Sequence, residues 1–249
     1  MSAILTFAAL AVSVLVTSFI SGILGMAGGM ILMGILLALQ PVPVAMMLHG
    51  VTQFAANAWR ALLWRDKVDW RIFRGYLYGA LATMAVYAVL KLVVSKPVAL
   101  IVMGLTPFVS LALPEKLHLN VERPGHPVIC GTICTALALM AGVSGPILDV
   151  FFVRSKMGRH AVVATKAMTQ SLSHILKIVY FGTIVAVEGG AHLDPWLAGV
   201  MVALALTGTS LSRHVLERMN DRSFRLWTRW TVMSLGFFYL ASGLWMVAR

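Results

Sequence analysis

Twice in this chain a glycine-rich pentad interrupts an apolar stretch that would otherwise read as continuous helix. The first is Gly25-Met26-Ala27-Gly28-Gly29; the second is Gly142-Val143-Ser144-Gly145-Pro146, 117 residues further on. The same offset carries a second pattern without a gap. Thr52-Gln-Phe-Ala-Ala-Asn-Ala-Trp-Arg60 is echoed by Thr169-Gln-Ser-Leu-Ser-His-Ile-Leu-Lys177, and His49 maps onto Lys166. Polar positions meet polar positions, and a cation meets a cation. Self-similarity of this kind marks an internal duplication of roughly half the chain, and any fold must accommodate it.

The solvent of that fold follows from composition. Of the 249 residues, 59% are hydrophobic and 12% charged, and the mean hydropathy is +0.87. Several apolar stretches approach or exceed the roughly 20 residues a helix needs to cross a hydrocarbon core. The expected class is an all-α polytopic membrane protein; the alternating segments of a transmembrane barrel are not seen. The formal charge of +11 invites a nucleic-acid reading, but the Lys and Arg fall in short loops between apolar segments. There they meet the positive-inside bias and anionic headgroups. The first apolar stretch has no basic leader and runs past residue 24, so it reads as retained membrane structure rather than a signal peptide. Cys130 and Cys134, one helical turn apart, make neither a disulfide framework nor a zinc site. The methionines, among them Met26, Met30, Met46 and Met47, form no stripe with Cys or His and read as packing. No metal and no cofactor are expected.

Ten helical segments are expected: 2–24, 29–39, 44–64, 72–92, 96–113, 128–141, a short piece reaching Arg154, 161–182, 195–211 and 228–247. Gln40-Pro-Val-Pro43 supplies a turn, because Pro cannot continue a helix. Pro114 to Pro127 is a polar, proline-bounded stretch near mid-chain. Residues 1–113 and 128–249 are therefore two repeats within one membrane domain, joined by a linker over 114–127. Charge orients them. Arg60, Arg65, Lys67, Arg71 and Arg74 cluster after the third helix, whereas the counterpart after residue 182 carries Glu188 and Asp194 and no cation. The turn before the third helix is uncharged, whereas its counterpart holds Arg154, Lys156, Arg159 and Lys166. Equivalent positions fall on opposite sides, so the expectation is two inverted repeats of about five helical segments each. Residues 66–74 and 213–229 are then cytoplasmic and 183–194 outside. Residues 128–153 must enter and return on one side, which makes Gly142–Pro146 the tip of a re-entrant hairpin and, by symmetry, Gly25–Gly29 another. Inverted halves with broken helices at the midplane are the signature of a secondary transporter's binding site.

The chemistry-bearing residues gather at those breaks. A helix restarting after a glycine break presents unpartnered N–H groups and the positive end of its dipole, a setting that favours an anion. Gly25, Ala27, Gly28 and Gly29 would form one such cradle and Gly142, Ser144 and Gly145 the other; tight helix crossing is the competing use of these glycines. His49, Gln53, Asn57 and Arg60 share one helix face, as do Lys166, Gln170, His174 and Lys177, with Thr52 and Thr169 adjacent. A polar stripe in a membrane helix is costly unless it faces a cavity or a partner. Gln53, Asn57, Thr52, Thr169, Gln170 and His174 are thus candidate substrate donors, and His49, Arg60, Lys166 and Lys177 candidate vestibule cations. Asp149, an acid within an apolar segment, reads either as a group that titrates during coupling to a proton or sodium ion, or as the partner of a nearby cation. Ser144 lacks the five-residue nucleophile-elbow pattern, and there is no nucleotide-binding loop, so no enzyme activity is expected.

Two apolar halves, each opening with a glycine-rich break and a threonine-bearing polar helix, resemble the sulfite exporter TauE/SafE family, also called the toluene-sulfonate uptake permease family. The resemblance spans essentially the whole chain. It rests on Gly22, Gly25, Gly28 and Gly29, on Gly142, Gly145 and Pro146, and on Thr52 and Thr169, with a departure at Met30 and Gly34. It implies movement of sulfite, an organosulfonate or a related sulfur oxyanion across a bacterial inner (plasma) membrane, with export the expected direction. The competing readings are a membrane-embedded enzyme and a substrate-free membrane assembly partner.

Overall fold

The computed structural model describes residues 3–24, 26–114, 117, 119–187, 195–216 and 221–249, and these contain ten α-helices and no strand. They are α1 (Ala3–Leu24), α2 (Met26–Leu39), α3 (Val42–Leu63), α4 (Trp70–Leu90), α5 (Lys96–Ala112), α6 (His126–Ala141), α7 (Gly145–Phe152), α8 (Arg159–Val187), α9 (Pro195–Leu216) and α10 (Asp221–Val247). The punctuation is the expected one. Pro41 and Pro43 frame the start of α3. Asp69 caps α4 by accepting hydrogen bonds from the Arg71 and Ile72 N–H groups. Gly142, at φ 78°, closes α6 in the left-handed conformation that a glycine adopts without strain. Three stretches, Trp70–Leu90, Pro195–Ser212 and Leu226–Val247, are long and apolar enough to cross a membrane, and shorter apolar helices precede the first and separate it from the second. The chain is a multi-pass membrane protein.

Helices α8 and α9 run on past their expected ends, to Val187 and Leu216, and two further boundaries differ from expectation for physical reasons. Gly28 and Gly29 are not in an irregular break; α2 begins at Met26 and carries both inside it. A Cβ on Gly28 would overlap the Thr17 carbonyl oxygen and the Ser21 nitrogen. Close approach of α1 therefore offsets the cost of glycine in a helix. Gly25, between the end of α1 at Leu24 and the start of α2 at Met26, lies outside the described residues. The second break is confirmed over Gly142–Ser144, with α7 resuming at Gly145. The other difference is α10, which starts at Asp221 rather than near 228, because the basic stretch continues into helix. Of the stretch 183–194 expected outside, residues 183–187 belong to α8, while 188–194, like 217–220, lie outside the described residues.

The helices pack in four principal pairs: α1 with α9, α4 with α6, α3 with α8, and α5 with α10. Each pair joins a helix of residues 1–113 to one of residues 126–249. The first two pairs run parallel. Gly22 lies against Thr209 and Ser212 while Gly208 lies against Leu15 and Phe19; Gly75 meets Pro127, Gly131 meets Tyr76, and the Tyr87 hydroxyl donates to the Ala136 carbonyl. The last two run antiparallel. Trp64, just past α3, stacks on His160 at the start of α8, while His49 contacts Lys177 further along it. Gly104 faces Gly236 and Pro97 faces Gly243.

Three polar segments collect at one end of this bundle. The Asp69 N–H donates to the Thr165 hydroxyl, Arg71 to the Glu122 carbonyl, and the Lys156 N–H to the Glu122 carboxylate. The Asn120 amide donates to the Arg154 carbonyl, and the Val121 N–H to the Phe151 carbonyl. The α6–α7 hairpin thus leaves from this end and returns to it.

Candidate functional site

The returning hairpin places its glycine break against the start of α2. A Cβ on Gly145 would sit 2.7 Å from the Met26 Cβ, and one on Gly142 would be 2.5 Å from the Met33 sulfur. Beside this contact is a cavity of about 360 Å³ walled by α2, α3, α7 and α8, with Ser21 of α1 and Thr228 of α10. Met26, Gly29 and Met30 bring the first turn of α2 to it; Ser144, Gly145 and Pro146 bring the first turn of α7. The two helix starts therefore face the same space, each with the backbone donors and dipole end that attract negative charge.

The polar stripes of α3 and α8 complete the wall. The spacing of Gln53, Asn57 and Arg60 turns all three toward the cavity, and that of Lys166, Gln170 and His174 does the same from the other side. Several of these donors are unspent. The side-chain amides of Gln53 and Gln170 have no hydrogen-bond partner among the described residues, whereas Asn57 donates to the Gln53 carbonyl. Arg60 Nε, His174 Nδ1 and the Thr228 hydroxyl are buried and unpartnered. Unpartnered polar atoms at membrane depth are costly, and a ligand offering acceptors would satisfy them.

Charge is distributed unevenly. Asp149 pairs with Lys166, the two side chains being 38% and 25% exposed, so the acid in α7 has a cation for a partner. Arg60 has no carboxylate partner among the described residues. The cavity's exposed surface lies at this end, where Val163 and Asp149 reach outward. The other end is shut. His49 Nε2 donates to the Gly29 carbonyl at 2.9 Å, which leaves Nδ1 as the acceptor for Lys177 Nζ at 2.7 Å. Lys177 also donates to the Gly142 carbonyl at 3.0 Å, and His174 packs edge-on against His49 with ring centroids 5.7 Å apart. One lysine thus ties the carbonyl at the second break to a histidine that holds the carbonyl beside the first.

The structure sorts the residues singled out from sequence. Gly29, Gln53, Asn57, Gly142, Ser144, Gly145, Gln170 and His174 line the cavity, as do His49, Arg60, Lys166 and Asp149. Ala27, Gly28, Thr52 and Thr169 are buried outside its lining. Each threonine hydroxyl is turned back onto its own helix, Thr52 to the Leu48 and His49 carbonyls and Thr169 to that of Lys166. Lys177 is the clearest departure from an open vestibule: it is 0% exposed, because its two acceptors draw it inside. Gly25 lies outside the described residues. Thr228 was not singled out, since it stands where the basic stretch 213–229 meets the start of the expected last helix. Ser21 was missed as well; only its place one turn before the first break hints at it. Among the described residues no group of three or more His, Cys, Asp or Glu side chains is placed to hold a metal ion.

The description "Sulfite exporter TauE/SafE" belongs to the family model that matches this chain, over residues 9–239. Neither a curated protein nor a solved structure matches it.

Proposed function

Because the chain belongs to the sulfite exporter TauE/SafE family, we propose that it is a secondary transporter exporting sulfite, an organosulfonate or a related small sulfur oxyanion across the inner membrane. The observation that carries this reading is the convergence of two helix starts, two unpartnered glutamine amides and the unpartnered Arg60 and His174 nitrogens on one cavity. A sulfonate or the sulfite dianion offers three oxygens for such donors and no proton of its own to donate. Its charge matches a cavity whose one carboxylate, Asp149, is already matched by Lys166. Charge-assisted hydrogen bonds of this kind are short and strong.

The transport geometry in this reading is a pair of inverted repeats. Its support is the pairing pattern: exchanging α1–α5 for α6–α10 in order turns α1·α9 into α6·α4 and leaves α3·α8 and α5·α10 as themselves. A two-fold axis in the membrane plane produces this pattern, parallel and antiparallel senses included. The α6–α7 hairpin is then re-entrant, and the end that gathers the basic segments 65–74 and 153–166 is cytoplasmic. The cavity is open toward that end and closed at His49–Lys177, an inward-facing arrangement. Release to the outside requires Lys177 to part from His49 or from the Gly142 carbonyl, with Asp149 and Lys166 closing behind. The coupling ion is a proton or sodium.

The test is flux. Purified protein in liposomes, loaded with radiolabelled sulfite or an alkanesulfonate, should release label faster than protein-free liposomes, and a proton or sodium gradient should alter the rate. Absence of protein-dependent flux across a series of sulfur oxyanions would remove the reading.

A further inference from the structure

Lys177 is a basic group buried with no carboxylate partner among the described residues. It is fully buried in the middle of α8, and both of its hydrogen-bond partners, His49 Nδ1 and the Gly142 carbonyl, are neutral acceptors. The tautomer is set by the other ring nitrogen, which donates to the Gly29 carbonyl. Its titratable neighbours are few. From α3 come His49, in contact, and Arg60 further along; α7 contributes Asp149, which is taken by Lys166, and α8 itself adds His174. From α4 comes Tyr76, whose hydroxyl meets that of Ser173 one turn before Lys177, and from α6 the Cys130–Cys134 pair. The one carboxylate in the cavity lining, Asp149, is therefore already matched, and both Arg60 and Lys177 lack a carboxylate partner among the described residues.

A buried cation held only by neutral groups is expensive, and the cost falls when an anion comes close. Lys177 does not line the cavity, yet His49 and Gly142, the two residues it touches, both do. It stands one residue layer behind the wall, too deep for the substrate to touch and near enough for its charge to be felt. Contact donors such as Gln53 and Gln170 read the shape of an oxyanion head. A charge behind the wall reads only how much negative charge is there, because its effect scales with the charge on the ligand and not with ligand shape.

We propose that Lys177 is the specificity-determining residue for substrate charge, and that together with Arg60 it matches the cavity to a doubly charged sulfur oxyanion in preference to a singly charged one. This rests on the cavity being the oxyanion site. Lys177 and the dianion stabilise each other, so whatever lowers one lowers the other by the same factor.

The test uses two tetrahedral probes of nearly equal size, sulfate with two charges and methanesulfonate with one. Binding of each to purified detergent-solubilised protein is measured for the wild type and for Lys177→Met, with Lys177→Gln as a second variant that retains a donor toward His49 and Gly142. Hydration of each probe is the same for every protein, so it cancels when the sulfate-to-methanesulfonate affinity ratio is compared between proteins. Loss of one charge at several ångströms should lower that ratio by roughly tenfold or more, with methanesulfonate binding changed much less than sulfate binding. An unchanged ratio in a folded variant overturns the proposal. So does wild-type protein that binds methanesulfonate and excludes sulfate, although the oxyanion site itself then stands. Wild-type protein that binds neither probe and no other sulfur oxyanion removes the site and this inference together. If neither variant folds, the wild type decides: sulfate bound at least roughly tenfold more tightly than methanesulfonate supports the proposal, and a smaller preference overturns it.

Discussion

At the scale of single residues, the two adjacent glycines of α2 face different neighbours, and this separates packing from binding. Gly28 backs onto the main chain of α1 at Thr17 and Ser21, which cannot give way as a side chain can. Gly28→Ala should therefore destabilise the protein by about 1–3 kcal/mol, the range for overpacking, read as a lower midpoint of thermal unfolding in detergent. Gly29 faces the cavity, and a Cβ there would stand 3.4 Å from Gln53 Oε1. Gly29→Ala should fold at least as well, since Ala is the better helix former, yet weaken oxyanion binding, a methyl group in a binding pocket being worth about 1–3 kcal/mol. Equal unfolding midpoints for the two variants would show that the glycines are not divided in this way. The glutamines make a second residue-scale prediction. Gln53→Leu or Gln170→Leu should cost about 1–3 kcal/mol of oxyanion affinity for a lost donor to a charged group, with little change in stability; unchanged affinity in both would assign them to helix packing. Sequence alone placed Gln53, Gln170 and His174 at the cavity because spacing on one helix face is readable without coordinates. It could not place Lys177, whose burial depends on a carbonyl at Gly142 and a ring at His49 that no local pattern brings together.

At the scale of elements, the closest crossing is α4 on α6. A Cβ on Gly79 would overlap the Val128 carbonyl oxygen, one on Gly131 the Tyr76 carbonyl oxygen, and the Thr83 hydroxyl reaches the Thr132 carbonyl across the gap. Small residues let backbones approach so closely in a membrane that dispersion and weak polar contacts replace the missing hydrophobic drive. Gly79→Val should therefore push α4 off α6 and prevent assembly, measured as loss of a monodisperse detergent-solubilised species. A variant that assembles normally would mean that the crossing is not needed to hold α6 in place. Most helices were legible from apolar runs ended by Pro, Gly or charge, and both breaks were legible as interruptions of such runs. What misled was the use of glycine. The same residue marks a helix break at Gly142, where φ is positive, and a helix crossing at Gly28, where it lies inside α2. The difference resides in what stands opposite, which the local sequence does not carry.

At the scale of the whole molecule, the basic end gathered from residues 65–74, 119–125 and 153–166 fixes the proposed orientation. A single cysteine placed near residue 190 should react with an impermeant maleimide in intact cells, while one at residue 67 should react only after lysis. Native Cys130 and Cys134 are buried, so they contribute little background. The reverse pattern would invert the molecule and with it the open end of the cavity. The expectation of two halves comes from the 117-residue offset, and the family was legible in its glycine and threonine positions. Which helix grips which was not, since every principal pair is made between segments far apart in the chain.

That pairing bears on how the protein comes into being. Helix α1 finds its principal mate in α9, whose first residue, Pro195, follows the end of α1 at Leu24 by most of the chain's length. At synthesis rates of about 5–20 residues per second, α1 waits on the order of 10 s or more before its partner is made. Throughout that interval its small-residue face, with Ser18 and Gly22, lies open to lipid or to an assisting insertase. A nascent chain stopped before Pro195 would be an orphan with an unfilled seam, a clear mark for the proteases that clear incomplete membrane proteins.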